Sequence, residues 1–598
     1  MKTSKVFYAY CVLFAIGWGF TYLHFAQHLL AYCFVAFCVA WAVYRLPTMA
    51  VKETLKSFFL YERKMPRNEF VGTLVTTNVG FFSSVAFSTV LIVTMGIGPA
   101  LILVIAWALG LVWFASYIPN LLPFLRNGST VHEYIANAYG TTPNERRRLR
   151  FYSSVITFLL YLASVGAEIK FTSDVFSVPT GLSTGWLALA LCIAGVIYVS
   201  ISGYRGVVST DRLRFWAILT GVVAIYFFLY HSVVTSSVTL PPKYLTLRML
   251  TVGPSPPTLV SLIVLLALYQ FCVMDMWERC IAIVNSDFIQ KAANPDKAAV
   301  TSMRRMIWES IVWFVILFGA WYGLGLLALG QRWCDDPNQI IPQLIVRLEA
   351  YGASNITGAL TETLVVLCFS AAALSTIDGF IIAAVQTIIF DWLPSFREEH
   401  KEWDELNEAE AQQTLLLGRI LILVVGACAV MIAYMSFGIM SFWVGMYSLM
   451  LSFFPAIFLS LRSRDGSHRR SEFQVALSII SGATAALVVA ILGTFVFPNY
   501  PLLTALPPFL AVGVAFVVIF PNPGDRAARA MAMVILLATA GLAYIFATHP
   551  RHLHALGEDD PKKAQSCPDP APVFSASMGT PRSSRRRHGH RAVEHKLH

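Results

Sequence analysis

Three polar side chains interrupt an oily run. The stretch FSAAALSTIDGFIIAAVQTIIFDW, residues 369–392, carries Ser375, Thr376 and Asp378 near its middle. A carboxylate at the centre of a bilayer costs at least about 2.5 kcal/mol unless something compensates it. On a helix, Ser375 and Thr376 project about 100° apart and flank one groove, while the Ala372 carbonyl lies one turn back on the Ser375 side. Three oxygens then converge, and Asp378 adds negative charge about one turn away. Neutral oxygens beside a carboxylate in low dielectric are what a hard monovalent cation needs to replace its water. The competing reading returns both hydroxyls to carbonyls four residues earlier, a common habit in membrane helices.

One helix cannot complete a cation shell, so a partner with free main-chain oxygens is needed, and membrane helices offer these only where they break around a cavity. The segment FVGTLVTTNVGFFSSVAFS, residues 70–88, combines Thr76, Thr77, Asn78, Gly80, Ser83 and Ser84 in a span that should otherwise be oily. Gly80 can leave helical geometry without a Cβ penalty, and a break there would release carbonyls from the preceding turn. The alternative is a packing seam of small residues.

These segments need a membrane to sit in. The 598 residues are 57% hydrophobic and only 13% charged, which excludes an ordinary water-soluble domain. Apolar runs long enough to cross a bilayer as helices fall at roughly 6–22, 29–46, 68–95, 99–125, 151–178, 185–202, 206–234, 256–283, 305–330, 357–390, 414–435, 438–462, 473–497, 502–520 and 529–547. The first of these reads as an uncleaved membrane helix. The net charge of +10 is carried by loops between the runs, so it reports topology and no nucleic-acid partner. YERKMPRNEF, NERRRLRF, GYRGVVSTDRLR, residues 291–305 and LRSRDGSHRR hold most loop Lys and Arg, and alternate counting puts them on one, cytoplasmic, side. The acidic loop 391–413 falls on that side too, and a fifteenth span puts the basic tail on the other. The ten cysteines form no CxxC pair, which indicates neither a disulfide framework nor a zinc site. His132-Glu133 belongs to no HExxH, and no nucleophile–base constellation stands out, so an enzyme is not expected.

Five segments in order, FFLYERKMPRNEFVGTLVTTNVG, TVHEYIANAYG, ISGYRGVVSTDRLR, MDMWERCIAI and AAALSTIDG, resemble the solute:sodium symporter family of sugar, proline, pantothenate, sialic acid and urea carriers. The resemblance covers roughly residues 30–465. It implies an all-α polytopic membrane protein with a LeuT-type core of two inverted five-helix repeats plus flanking helices, about 14–15 transmembrane helices in all. On that plan 1–66 holds flanking helices and a cytoplasmic loop, 67–234 and 235–465 the two repeats, 466–548 further flanking helices, and 549–598 a disordered basic tail. The implied function is sodium-coupled import of a small polar organic solute across a cell (inner) membrane by alternating access. The alternative is a symporter-like sensor module signalling to a partner.

Carried over by position, the sodium site takes main-chain oxygens of Thr76, Val79 and Ala372 and the hydroxyls of Ser375 and Thr376. Asn78 would brace the break. Asp211 falls on the family's aspartate near the cytoplasmic end of the ion route, with a surface salt bridge to Arg212 or Arg214 as its alternative role. Some members bind a second sodium through hydroxyls at the positions of Asp378 and Gly379, and this chain has neither. Either the Asp378 carboxylate serves, or a proton on it replaces the ion, or there is no second ion. The segment usually ending in Gln-Arg here reads Trp277-Glu278-Arg279, which leaves stoichiometry open. Solute-binding candidates are Asn78, Phe81, Phe82, Ser83, Glu168, Tyr269, Gln270 and Trp443, and a small amide, amino acid or carboxylate is favoured over sugar.

Overall fold

The computed structural model describes residues 54–180, 182–235, 256–333, 336–354, 356–393, 406–435, 437–462, 470–496 and 501–519. The expected spans at 6–22, 29–46 and 529–547 and the tail from 549 lie outside them. Each remaining apolar run coincides with a helix, and the described residues contain no strand. Among the described residues, nine helices are long and apolar enough to cross a membrane, or ten if the bent pair Arg67–Asn78 and Phe81–Met95 counts as one span. Thr184–Ile197 and Ala505–Ile519 are shorter apolar helices. Large apolar side chains such as Leu109, Tyr230 and Met431 stand exposed on the outer helix faces, where lipid would cover them.

Local sequence explains where many helices start. Thr130, Asn294, Asn407 and Ser471 each accept the amide hydrogen three residues on, and Asn407–Glu410 and Ser471–Gln474 form reciprocal capping boxes. Packing then sorts the helices. The most apolar window of Ile356–Trp392 is 94% buried and that of Glu408–Ala433 only 33%, so the first lies at the centre and the second at the rim. Ile356–Thr387 packs most extensively on Thr184–Thr235. A glycine permits this: a Cβ on Gly221 would lie 2.2 Å from Cys368 Cβ and 2.7 Å from the Leu364 carbonyl.

Two arginine-bearing segments that read as loops prove helical. Residues 204–214 continue the Thr184–Thr235 helix beyond a break at Gly203 (φ 55°, ψ −156°), and NERRRLRF lies within Pro143–Thr180. Arg214 and Arg150 are therefore buried, because acids on distant elements, Asp378 and Asp391, face them. Around Arg150, Asp391 accepts from Arg150 Nε (3.2 Å) and Thr130 Oγ1 (2.7 Å) and pairs with His132 Nδ1 (2.8 Å), whose Nε2 meets Thr157 Oγ1 (2.7 Å). His132 is thus a tie between helix ends. We expect Asp391→Asn to cost about 2 kcal/mol, the scale of charge-assisted hydrogen bonds, read as a lower unfolding midpoint in detergent. An unchanged midpoint would show that the network holds nothing.

Candidate functional site

The segment 70–88 is broken. Helix Arg67–Asn78 ends at Val79 (φ −106°, ψ 55°), Gly80 is extended (φ −65°, ψ 153°), and the chain resumes as a π-turn at Phe81–Ala86, the two arms meeting at 62°. Extended geometry at negative φ is open to any residue, so conformational freedom is not why glycine stands here. Space is the reason. A Cβ on Gly80 would lie 2.2 Å from Ser83 Oγ, 2.6 Å from Thr376 Oγ1 and 3.1 Å from Glu168 Oε2.

A break leaves polar main-chain groups to satisfy. The Thr76 carbonyl accepts from Val79 N–H (3.2 Å), and that of Gly80 accepts from Ser84 and Val85 N–H (3.0 and 3.2 Å). The Val79 carbonyl accepts none of the main-chain hydrogen bonds that span the break. Phe82 N–H, at the start of the second arm, donates to Glu168 Oε1 (2.9 Å). Glu168 is fully buried, and a carboxylate suits the positive end of a helix. Its Oε2 has no partner among the described residues. Asn78 turns back to the Leu74 carbonyl (2.9 Å) and so stiffens the last turn before the break.

The late helix meets this break. Thr376 Oγ1 lies 3.3 Å from the Thr77 carbonyl and 3.2 Å from the Ala372 carbonyl, so it both bridges the two spans and bonds back along its own helix. Ile356–Thr387 is continuous through Ala372; with Ala-rich sequence packed on all sides, nothing pulls it out of helical geometry. Ser375 does not bond back. Its hydroxyl donates to Asp211 Oδ1 (2.7 Å), leaving its lone pairs directed elsewhere, and Thr73 Oγ1 donates to Asp211 Oδ2 (2.7 Å).

One arginine serves both acids of this cluster. Arg214 Nη1 reaches Asp211 Oδ1 at 3.2 Å and also contacts Asp378 Oδ2, and all three side chains are 0% exposed. The salt bridge of Asp211 therefore lies inside the bundle and not at the membrane surface. Asp378 pairs with an arginine 164 residues away in sequence, which no periodicity shows. The one available signal was that Asp211 and Arg214 share an apolar span, where charged groups face inward and pair. Thr73 went unnoticed as well. One step further, Arg279 binds Asp275 Oδ2 (2.9 Å) and the Thr73 carbonyl (3.4 Å) beside a second helix break at Val273, and Asp275 N–H donates to Tyr161 OH (3.0 Å).

Beside the break lies a partly enclosed cavity. Of the solute candidates, Asn78, Ser83, Tyr269 and Trp443 line it. Phe81, Phe82, Glu168 and Gln270 do not: Phe81 stacks on Phe369, Phe82 packs edge-on to Phe442, and Gln270 is buried with its Nε2 unpartnered. Thr77, Ser84, Ser88, Trp107 and Tyr447 line it without having been anticipated. Of the candidate sodium ligands, the Ser375 and Thr376 hydroxyls and the main-chain oxygens of Thr76, Val79 and Ala372 all belong to the two spans joined through Thr376.

No known protein-family model and no curated protein sequence matches the chain. Among solved structures, the chain is similar to a substrate-bound, outward-open Na⁺-coupled sialic acid symporter, with TM-score 0.58 and 14% identity over 82% of this chain and 97% of that one. It also matches a manganese transporter of Eremococcus coleocola at TM-score 0.42 and 12% identity, over 84% of this chain and 97% of that one. The first likeness gives the fold, an all-helical membrane architecture of the LeuT type.

Proposed function

We propose that the chain is a sodium-coupled secondary transporter that carries a small organic solute across a cell membrane by alternating access. The observation that carries this reading is the break at Val79–Gly80, which lies against Thr376 and borders a polar-footed cavity. Backbone interruptions at membrane depth are tolerated where they line a cavity, and there they offer oxygens to an ion. The likeness in fold to a Na⁺-coupled symporter supports the same reading.

Sodium would take the oxygens of Thr76, Val79 and Ala372 with the Ser375 and Thr376 hydroxyls. Both hydroxyl hydrogens already point at acceptors, so their lone pairs are free for a cation. The cluster of Asp211, Asp378 and Arg214 carries one carboxylate more than it has cations, which draws one monovalent ion to the Ser375 side. The second ion is then unnecessary: Arg214 takes the place beside Asp378. Asn78, Ser83, Tyr269 and Trp443 would face the solute.

Purified protein in proteoliposomes should accumulate solute when a sodium gradient is imposed, and Ser375→Ala and Thr376→Ala should each lower sodium affinity by about tenfold, a loss of about 1.4 kcal/mol. Sodium should raise solute affinity by the same factor as solute raises sodium affinity. Uptake indifferent to the gradient across a broad solute panel would reject coupling.

A further inference from the structure

We propose that the cavity takes a solute bearing a positively charged, alkylated nitrogen, held against aromatic faces and steered by the Glu168 carboxylate. This rests on the transport reading in taking the cavity as the solute site. Three observations lead to it.

The lining carries no charged side chain, so an anionic solute would find no Lys or Arg there. Nearly half of its residues are aromatic, in a chain that is 13% aromatic. They are also contiguous: Phe87 stacks on Trp443 at 4.1 Å, Trp443 leans on Tyr447 at 4.8 Å, and Tyr447 meets Tyr269 edge-on at 5.5 Å. Aromatic faces attract cations, and more strongly where water is excluded.

The anion site that the break would otherwise provide is already filled. A helix N-terminus binds carboxylates or phosphates through its free N–H groups. Here Phe82 N–H donates to Glu168, so the chain supplies its own carboxylate where an acidic solute would have docked. Of the small amide, amino acid or carboxylate favoured from sequence, that argues against the carboxylate.

Glu168 is also left with an unsatisfied oxygen. Its Oε2 is buried and unpartnered, and it borders the same point beside Gly80 as Ser83 Oγ, which lines the cavity. The Glu168 carboxyl lies one side chain behind Ser83, and a cation in the cavity favours its ionised form, which then supplies negative potential at low dielectric. A cation lowers its own energy there, and a neutral isostere does not.

The test is equilibrium binding of radiolabelled tetramethylammonium to the full chain in detergent, without sodium or any gradient, with tert-butanol and pivalate as neutral and anionic isosteres. Saturable binding of tetramethylammonium is expected, with tert-butanol at least about tenfold weaker and pivalate unable to compete. Trp443→Leu should weaken binding about tenfold and Trp443→Phe by no more than about threefold, because the phenyl ring keeps a cation-binding face. Glu168→Gln keeps an oxygen for Phe82 N–H but loses the charge, and should weaken binding about tenfold, whereas a purely structural cap would leave it unchanged. Absent saturable binding, displacement by pivalate, or equal affinity for tert-butanol would overturn the proposal. If tetramethylammonium binds as described but a sodium gradient drives uptake of no solute in a broad panel, the transport reading fails and this one stands. Gradient-driven uptake of neutral or anionic solutes alone would give the reverse.

Discussion

Arg214→Ala should cost the folded protein about 3–5 kcal/mol, the range for leaving a buried charge without its partner. Arg214 stands between Asp211 and Asp378, all three fully buried, and removing it leaves two carboxylates facing each other in low dielectric. At about 4 Å, two unit charges interact with about 4 kcal/mol at an effective dielectric of about 20. Sharply reduced yield and a lower unfolding midpoint in detergent would register the loss. Two further results separate electrostatics from lost packing. Arg214→Ala combined with Asp378→Asn should regain much of the midpoint, since it removes the unpaired acid together with its base. Sodium should also stabilise Arg214→Ala more than the parent, because an ion that binds only the folded state raises its stability by mass action. If Arg214→Ala unfolds at the parent's midpoint, the guanidinium does not hold the two acids together.

Gly80→Ala should all but abolish transport while leaving the protein folded. The new methyl would begin 2.2 Å from Ser83 Oγ and 2.6 Å from Thr376 Oγ1, and its backbone angles are open to alanine, so the conflict is steric and confined to the site. Relief requires Ser83 to rotate and Thr376 to recede, which separates the late helix from the break. Displacing a positioning group by about an ångström can cost on the order of 100-fold in rate, and sodium-driven uptake should fall by about that much. Gly72→Ala is the control. A Cβ there meets nothing within 4 Å, and alanine in a helix is favoured over glycine by about 1 kcal/mol. Equal uptake by Gly80→Ala and Gly72→Ala would show that the gap at Gly80 is not used.

The amino-acid sequence by itself determined the class of the molecule and the places where its helices run. Those features rest on local quantities: the length of an apolar run measured against a bilayer, and capping residues such as Asn407 and Ser471. It also singled out the two segments that meet, because Ser375, Thr376 and Asp378 in one span and Gly80 with its polar neighbours in another are costly in lipid without a reason.

Tertiary structure alone decided what those residues touch. Arg214 counts in the sequence as one more positive charge near a loop, and its contact with Asp378 across 164 positions makes it an internal counter-ion. Glu168 is one acid among many until the fold carries it 86 positions back to cap the broken helix. Gly80 reads as a point of flexibility, and only its neighbours reveal a point of close approach. Periodicity records which residues shun or seek the bilayer, a property each carries alone. Pairing of charges and the space around a glycine belong to two or more segments at once, and exist only after those segments have packed.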